Sequence, residues 1–418
     1  MYRCFIFLVG LLFSLNFAGQ SLYFPPTVGS TWQTITPASL GWCEEEIPAL
    51  IDFLADSNSK AFIVLKDGKI VIEQYFGTFT QDSLWYWASA GKSLTAFMVG
   101  LAQQDGSLSI NDPSSMYLGT GWTSCTPTQE AQITVLNQLT MTSGLNDAGN
   151  PDCTLPSCLQ YLADPGTRWA YHNAPYTLLD GVIANATGST LNQFYINRLR
   201  NPTGMNGVFL PLDYNNVLFT NARSMARFGL LVLNKGTWNT TPIMTDTTYF
   251  NAMVNTSQGL NQSYGYLWWL NGKASYMLPG FQIVLPGSLH AAAPDDMFSA
   301  MGKNGQIINI VPSQNLVMIR MGNVPDGSFI PNFFNNDVWE LFNQVMCNQP
   351  CTFTPVITGS PLVCANDPQI YSVPEVAGSS YVWSVTGGNI VSGQGTNQIS
   401  VLWNNGVAGT VSIVQETP

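Results

Sequence analysis

The stretch "WASAGKSLTAF", residues 87–97, admits two chemically different readings. Its Gly-Lys-Ser belongs to a phosphate-binding loop, or its Ser-Ala-Gly-Lys sets a serine beside its own base. A phosphate loop needs Gly-x-x-x-x-Gly-Lys-Ser, so that successive backbone N–H groups wrap the phosphates. Counting back from Gly91, the first glycine falls at position 86, which is Tyr86, and "QDSLWYW" before it holds no glycine. The phosphate reading fails.

Ser-x-x-Lys is different chemistry. Three residues along a helix rotate by about 300°, so Ser89 and Lys92 share one face, one turn apart. At the start of a helix the serine oxygen also faces the positive end of the dipole. An uncharged Lys92 there can take the Ser89 proton and make an acylable nucleophile. The same spacing recurs in "SNSK", Ser57 to Lys60, at an Asn/Ser-rich turn between a helix and a strand. Its side chains are expected to diverge into solvent. Ser89 instead opens a long apolar helix, though a plain helix cap has the same local pattern.

Working outward, "CEEEIPALIDFLADSNS" reads as a helix with acids in its first turn. "KAFIVLKDGKIVIEQYFG" reads as two strands turning at Asp67-Gly68. A helix is expected from Ser89 to Asp105, closing at Gly106, and another in "NARSMARFGLLVLNKG", ending at Gly236. Strand character returns in "DMFSAMGKNGQIINIVPSQNLVMIRMG", with a turn at Pro312 to Asn315, before a final helix in "FNNDVWELFNQVM". That order implies an α+β fold: an antiparallel sheet built from both chain ends, flanked by helices, with a mostly helical insertion. The active site is expected between sheet and insertion. After "CNQPCTFTPVITGSPLVC" the short alternating strands of residues 352–418 suit a small all-β sandwich.

Composition narrows the function. Of 418 residues, 45 % are hydrophobic and 9 % charged, which supplies a core easily, and the net charge is −11. Such a surface repels phosphate backbones and anionic lipid, so no nucleic-acid partner is expected. The opening "MYRCFIFLVGLLFSLNFAGQS" has Arg3, an apolar run too short to cross a bilayer, then small residues. It reads as a cleaved export signal over residues 1–20. No later segment reads as transmembrane. Export permits disulfides, and the close pairs Cys153/Cys158 and Cys347/Cys351 are the expected bridges. C-x-x-C is absent and only His172 and His290 are available, so neither a metal nor a cofactor is expected. Cys364 has no later partner, which points to a chain continuing beyond Pro418.

Two further stretches bear on Ser89. "DPGTRWAYHNAPYTLLDGVI" carries Tyr171-His172-Asn173, and "AMGKNGQIINIVP" carries Lys303-Asn304-Gly305. Ser-x-x-Lys, Tyr-x-Asn and Lys-x-Gly in that order resemble the serine β-lactamase and penicillin-binding-protein superfamily. Within it, residues 40–346 are most similar to the class C β-lactamase-related serine hydrolases, which include esterases, D-aminopeptidases and aminohexanoate-dimer hydrolases. "LNQLTMTSGL", residues 136–145, supports the likeness. The tail resembles PKD-like or immunoglobulin-like modules of secreted bacterial enzymes. The implied organisation is a hydrolase domain over residues 21–349 and an incomplete β module over 352–418.

The resemblance implies an acyl-enzyme on Ser89, with Lys92 and Tyr171 as acid and base. Asn173 would position Lys92 and the substrate amide. Burial, together with Lys303 as a second cation nearby, would keep Lys92 uncharged. Backbone N–H groups of Ser89 and Gln306 would form the oxyanion hole, and Gly305 would let substrate approach. His172, between Tyr171 and Asn173, would face away. Asn304 stands where β-lactam-processing enzymes usually have threonine, which turns the likeness toward the esterase and amide-oligomer branch. Tyr266, Trp268 and Trp269 either wall the pocket or pack the core. The implied protein is a secreted, periplasmic or cell-surface bacterial hydrolase of a small amide or ester. A catalytically idle binder of cell-wall peptide, and a role carried mainly by the tail in surface or wall attachment, remain the alternatives.

Overall fold

The computed structural model describes residues 22–325, 331–347, 357–363, 367–375, 379–405 and 408–416. The expected export segment, Cys351 and Cys364 lie outside these residues. The chain divides into two compact units, residues 1–348 and 349–418.

In the first unit, helix α1 (Ile47–Asp56) leads into strands β1 (Ser59–Lys66) and β2 (Lys69–Tyr75). The turn between them places Asp67 and Gly68 at positive φ, the geometry that Asp-Gly supplies most cheaply. Helix α2 (Gly91–Gln104) follows, and after the insertion comes α3 (Ala222–Leu233), capped by the Asn221 side chain on Ser224 N–H. The chain then returns through β3 (Trp269–Leu270), β4 (Phe298–Gly302), β5 (Gln306–Val311) and β6 (Leu316–Gly322) to helix α4 (Asn332–Val345). The sheet order is β2-β1-β6-β5-β4-β3, antiparallel throughout. First and last strands of the unit therefore meet at its centre, as the element order implied.

Alternation along the strands builds a core on each face. Phe62 and Val64 join Leu50, Leu54, Trp339 and Phe342 under α1 and α4. Ala61, Ile63 and Leu65 join residues of α2 and α3 on the other side. Trp339 is fully enclosed, and truncating such a ring costs about 3–5 kcal/mol. The sheet is shielded on both faces, so one edge is left for chemistry. β3 pairs with β4 only at Leu270–Phe298 and Trp269–Ser299. Beyond Ser299, the edge of β4 meets the turn that precedes α2.

The second unit carries β7 (Gln369–Ser372), β8 (Ser380–Thr386), β9 (Gly388–Ser392), β10 (Gln398–Trp403) and β11 (Thr410–Glu416). They form the sheets β7-β10-β9 and β8-β11 around Tyr371, Trp383, Val401 and Trp403. An all-β module was expected here.

One expected disulfide is corrected. Cys153 bridges Cys158, but Cys347 bridges Cys43, 304 residues away, rather than its neighbour Cys351. Cys43 N–H donates to Val345 O at 2.8 Å, so the start and end of this unit already lie side by side. Closing so long a loop removes much unfolded-state freedom. We expect Cys43→Ser/Cys347→Ser to destabilise the unit by roughly 2–5 kcal/mol in urea unfolding. An unchanged midpoint would contradict this.

Candidate active site

The turn bearing Ser89 is held from three sides. Trp87 is buried, its N–H donating to Leu218 O (2.9 Å) and its indole to Thr220 Oγ1 (2.7 Å). Ala88 takes φ +46°, a left-handed conformation that costs a non-glycine residue about 1 kcal/mol or more. Ser89 sits on a short 3₁₀ turn, Ala88–Ala90, which runs directly into α2. The third side is the β4 edge. A β-carbon on Gly302 would fall 2.5 Å from Trp87 O, 2.7 Å from Ala90 N and 3.0 Å from Ser89 N. Only glycine lets the strand lie this close.

Lys92, one turn on, donates from Nζ to Ser89 Oγ at 2.9 Å. It is buried, 4 % exposed, and lies 4.2 Å from the Tyr176 ring centroid and 5.2 Å from that of Tyr171. Burial pulls its pKa from 10.5 down to about 7, against the opposing charges of Asp152 and Asp180. Of the two expected causes, burial does the work and Lys303 does not contribute. Asp180 is itself pushed up to about 7 by burial, with Asn216 Nδ2 donating to Oδ2 at 3.0 Å.

Tyr171 brings a buried hydroxyl that makes no hydrogen bond of normal geometry. Burial raises its pKa well above the usual phenol value, and Ser89 is the neighbour that tempers the rise. Its ring stacks on Trp269 at 5.7 Å. Gln138 Nε2 donates to Pro175 O (2.7 Å) and Ala170 N–H to Met141 O (2.9 Å), so the 136–145 stretch braces this segment. Asn173 Nδ2 donates to Asp152 Oδ1 at 2.7 Å, an unforeseen partner. His172 is buried, does not line the cavity, and is pushed down to about 4 by desolvation.

Ser89, Lys92 and Asn173 open on a cavity of about 380 Å³, lined also by Tyr86, Asp152, Tyr176, Asn215, Lys303 and Asn304. Tyr266, Trp268 and Trp269 are not on its wall; they are buried, and Trp268 stacks on Phe228. They belong to the core.

The third motif is placed differently from expectation. Lys303-Asn304-Gly305 forms the turn between β4 and β5, with Asn304 at φ +65° and its amide donating to the Tyr86 hydroxyl. Lys303 is exposed and Asn304 half-buried, both on the cavity wall. Gln306 opens β5, lies off that wall, and uses its side chain to bridge Gly322: Nε2 to O at 2.6 Å, and N–H to Oε1 at 3.2 Å. At Gly305 the missing side chain makes room for Arg320. A β-carbon there would sit 2.2 Å from Arg320 Nη1, and one on Gly322 would sit 2.2 Å from Arg320 Cζ. The glycine that lies against the Ser89 turn is Gly302.

Arg320 explains the turn, and sequence reasoning missed it. It is 1 % exposed, and Nη1 donates to Asn304 O (2.7 Å), Gly305 O (3.1 Å) and Asn323 O (3.1 Å). Nη2 donates to Ser57 O (2.5 Å) and Nε to Ser59 Oγ (2.9 Å). The second Ser-x-x-Lys is thus no second nucleophile, and Ser59 is buried rather than solvated. "SNSK" supplies acceptors for the arginine that braces the cavity wall.

Residues 52–332 match the family model described as Beta-lactamase, and the chain belongs to that family, whose members are mostly serine hydrolases. Residues 350–417 match the PKD-like domain. A Bacillus subtilis protein named as a penicillin-binding protein, PbpX, is 24 % identical over 320 residues, 68 % of this chain and 74 % of that one. The D-alanyl-D-alanine-carboxypeptidase/endopeptidase AmpH of Escherichia coli is 32 % identical over 140 residues, 30 % of this chain and 36 % of AmpH. A Bacillus anthracis structure named as a 6-aminohexanoate-dimer hydrolase shares the fold at TM-score 0.58 and 18 % identity, covering 76 % of this chain and 87 % of that one.

Arg320→Met leaves several carbonyls without donors, at about 1–3 kcal/mol for each buried group. We expect it to slow acylation of Ser89 by a serine-directed probe about tenfold or more, since small misplacements at a reacting centre are costly. Val338→Ala, in the opposite core, serves as a destabilised control that keeps its reactivity. Equal losses in both would reduce Arg320 to a general stabiliser.

Proposed function

We propose that the first unit is a secreted serine hydrolase that cleaves a small amide or ester through an acyl-enzyme on Ser89. The observation that carries this is the 2.9 Å contact from a desolvated Lys92 to Ser89 Oγ. Neutral Lys92 takes the hydroxyl proton as Oγ attacks the carbonyl carbon. The oxyanion is received by the backbone N–H of Ser89 and that of Lys303, which follows Gly302 and lines the cavity, in place of Gln306. Collapse breaks the bond to the leaving amine or alcohol, which takes a proton through Tyr171. Water then attacks the acyl carbon, its proton passing to the Tyr171–Lys92 pair, and Ser89 is released. Asn173, Lys303 and Asn304 hold substrate at the cavity wall.

Two disulfides among the described residues suit an oxidising, extracytoplasmic setting, and no helix there is long and apolar enough to cross a membrane. The β module is assigned to surface or wall attachment. An idle binding protein is the poorer reading, because the cavity is open beside Ser89 and its base is desolvated.

The test is peptide mapping after exposure to a fluorophosphonate, with Ser89→Ala as control. A single adduct on the peptide holding Ser89, absent from the variant, is the expected result. No adduct in folded protein would refute the acyl-enzyme.

A further inference from the structure

Resting on that reading, we propose that Asp152 sets substrate class: its carboxylate receives an ammonium group, so the preferred substrates are small amides or esters carrying a primary amine near the scissile carbonyl.

Asp152 lines the same cavity as Ser89 and Lys92. It is a built feature of that wall. Asn173 Nδ2 donates to Oδ1 at 2.7 Å and Asn215 Nδ2 to the same oxygen at 3.4 Å. Asn215 is held in turn by Thr177 Oγ1, which donates to its Oδ1 at 2.8 Å. The backbone is pinned on both sides: Ala174 N–H donates to Pro151 O at 2.9 Å, and the next residue, Cys153, is bridged to Cys158. Both amides spend their donors on one carboxylate oxygen. No ion pair to Asp152 occurs among the described residues, so its carboxylate lines the cavity with no cation in direct contact.

The rest of the lining favours the same ligand. Asp213 adds a second carboxylate to the lining, where burial disfavours the charged form of Lys92 and Lys303 is the other basic residue. A carboxylate-bearing substrate meets a wall with more acid than base, whereas an ammonium finds a fixed partner. Binding would also help the chemistry. The Asp152 charge opposes deprotonation of Lys92. An ammonium seated on Asp152 neutralises that field, so the right substrate frees the base.

Three compounds of matched acyl length separate the possibilities: β-alanine anilide, its N-acetyl derivative and succinanilic acid, which present an ammonium, a neutral amide and a carboxylate. Calorimetric titration at about pH 8, where an alkyl ammonium is largely protonated, uses the Ser89→Ala protein, so binding is read without any nucleophile. We expect the amine compound to bind at least about tenfold tighter than the other two, and Asp152→Asn on that background to abolish the preference. Equal binding of the three compounds, no binding of the amine, or a preference that survives Asp152→Asn overturns the proposal. Loss of the serine reading shows separately, as a missing adduct on Ser89.

Discussion

Everything in this site depends on the desolvation of one lysine. Lys92 sits inside a helix, under two tyrosine rings, where water cannot solvate an ammonium. That costs stability. A folded pKa near 7 against an ordinary 10.5 means that the fold disfavours the protonated lysine that the unfolded chain carries. The cost is fully present below pH 7 and fades as pH rises toward the unfolded value. The same depressed pKa makes the amine a base at neutral pH, so the stability lost is the reactivity gained.

In the proposed mechanism the scaffold brings carbonyl-binding groups to that lysine. A sheet covered on both faces leaves a short stretch of edge free, where β4 outruns β3. Gly302 allows this edge to lie against the Ser89 turn, and Arg320 fixes the carbonyls of the turn that follows. A buried guanidinium that donates to oxygens on both sides of it is a rigid brace, and it couples the central strand β6 to the cavity wall. Gln306 adds a second brace by bridging Gly322.

Much of this was legible in the sequence, for reasons that differ by element. Asp67-Gly68, the alternation of residues 61–65 and the caps around α2 and α3 are local signals, and local physics decides them. The Ser89–Lys92 contact was legible because helical geometry fixes it. The third motif was misread because Lys-x-Gly spacing says nothing about which glycine meets a neighbouring backbone. That depends on the β4–β5 register, which pairs Gly302 with Gln306. The reach of Arg320 to Ser57 and Ser59 and the Cys43–Cys347 bridge were invisible because those partners lie hundreds of residues apart in the chain. Asp152 had a faint signal, its place beside Cys153, but only the fold shows that it shares a cavity with Ser89.

The most direct test of the central claim is the pH dependence of Ser89 acylation by an uncharged probe. A base that must lose its proton gives a rate that rises with pH through a midpoint near 7 and then levels off. A flat profile across that range, or a rate still climbing toward the ordinary lysine value of 10.5, would show that Lys92 is not the desolvated base on which the account rests.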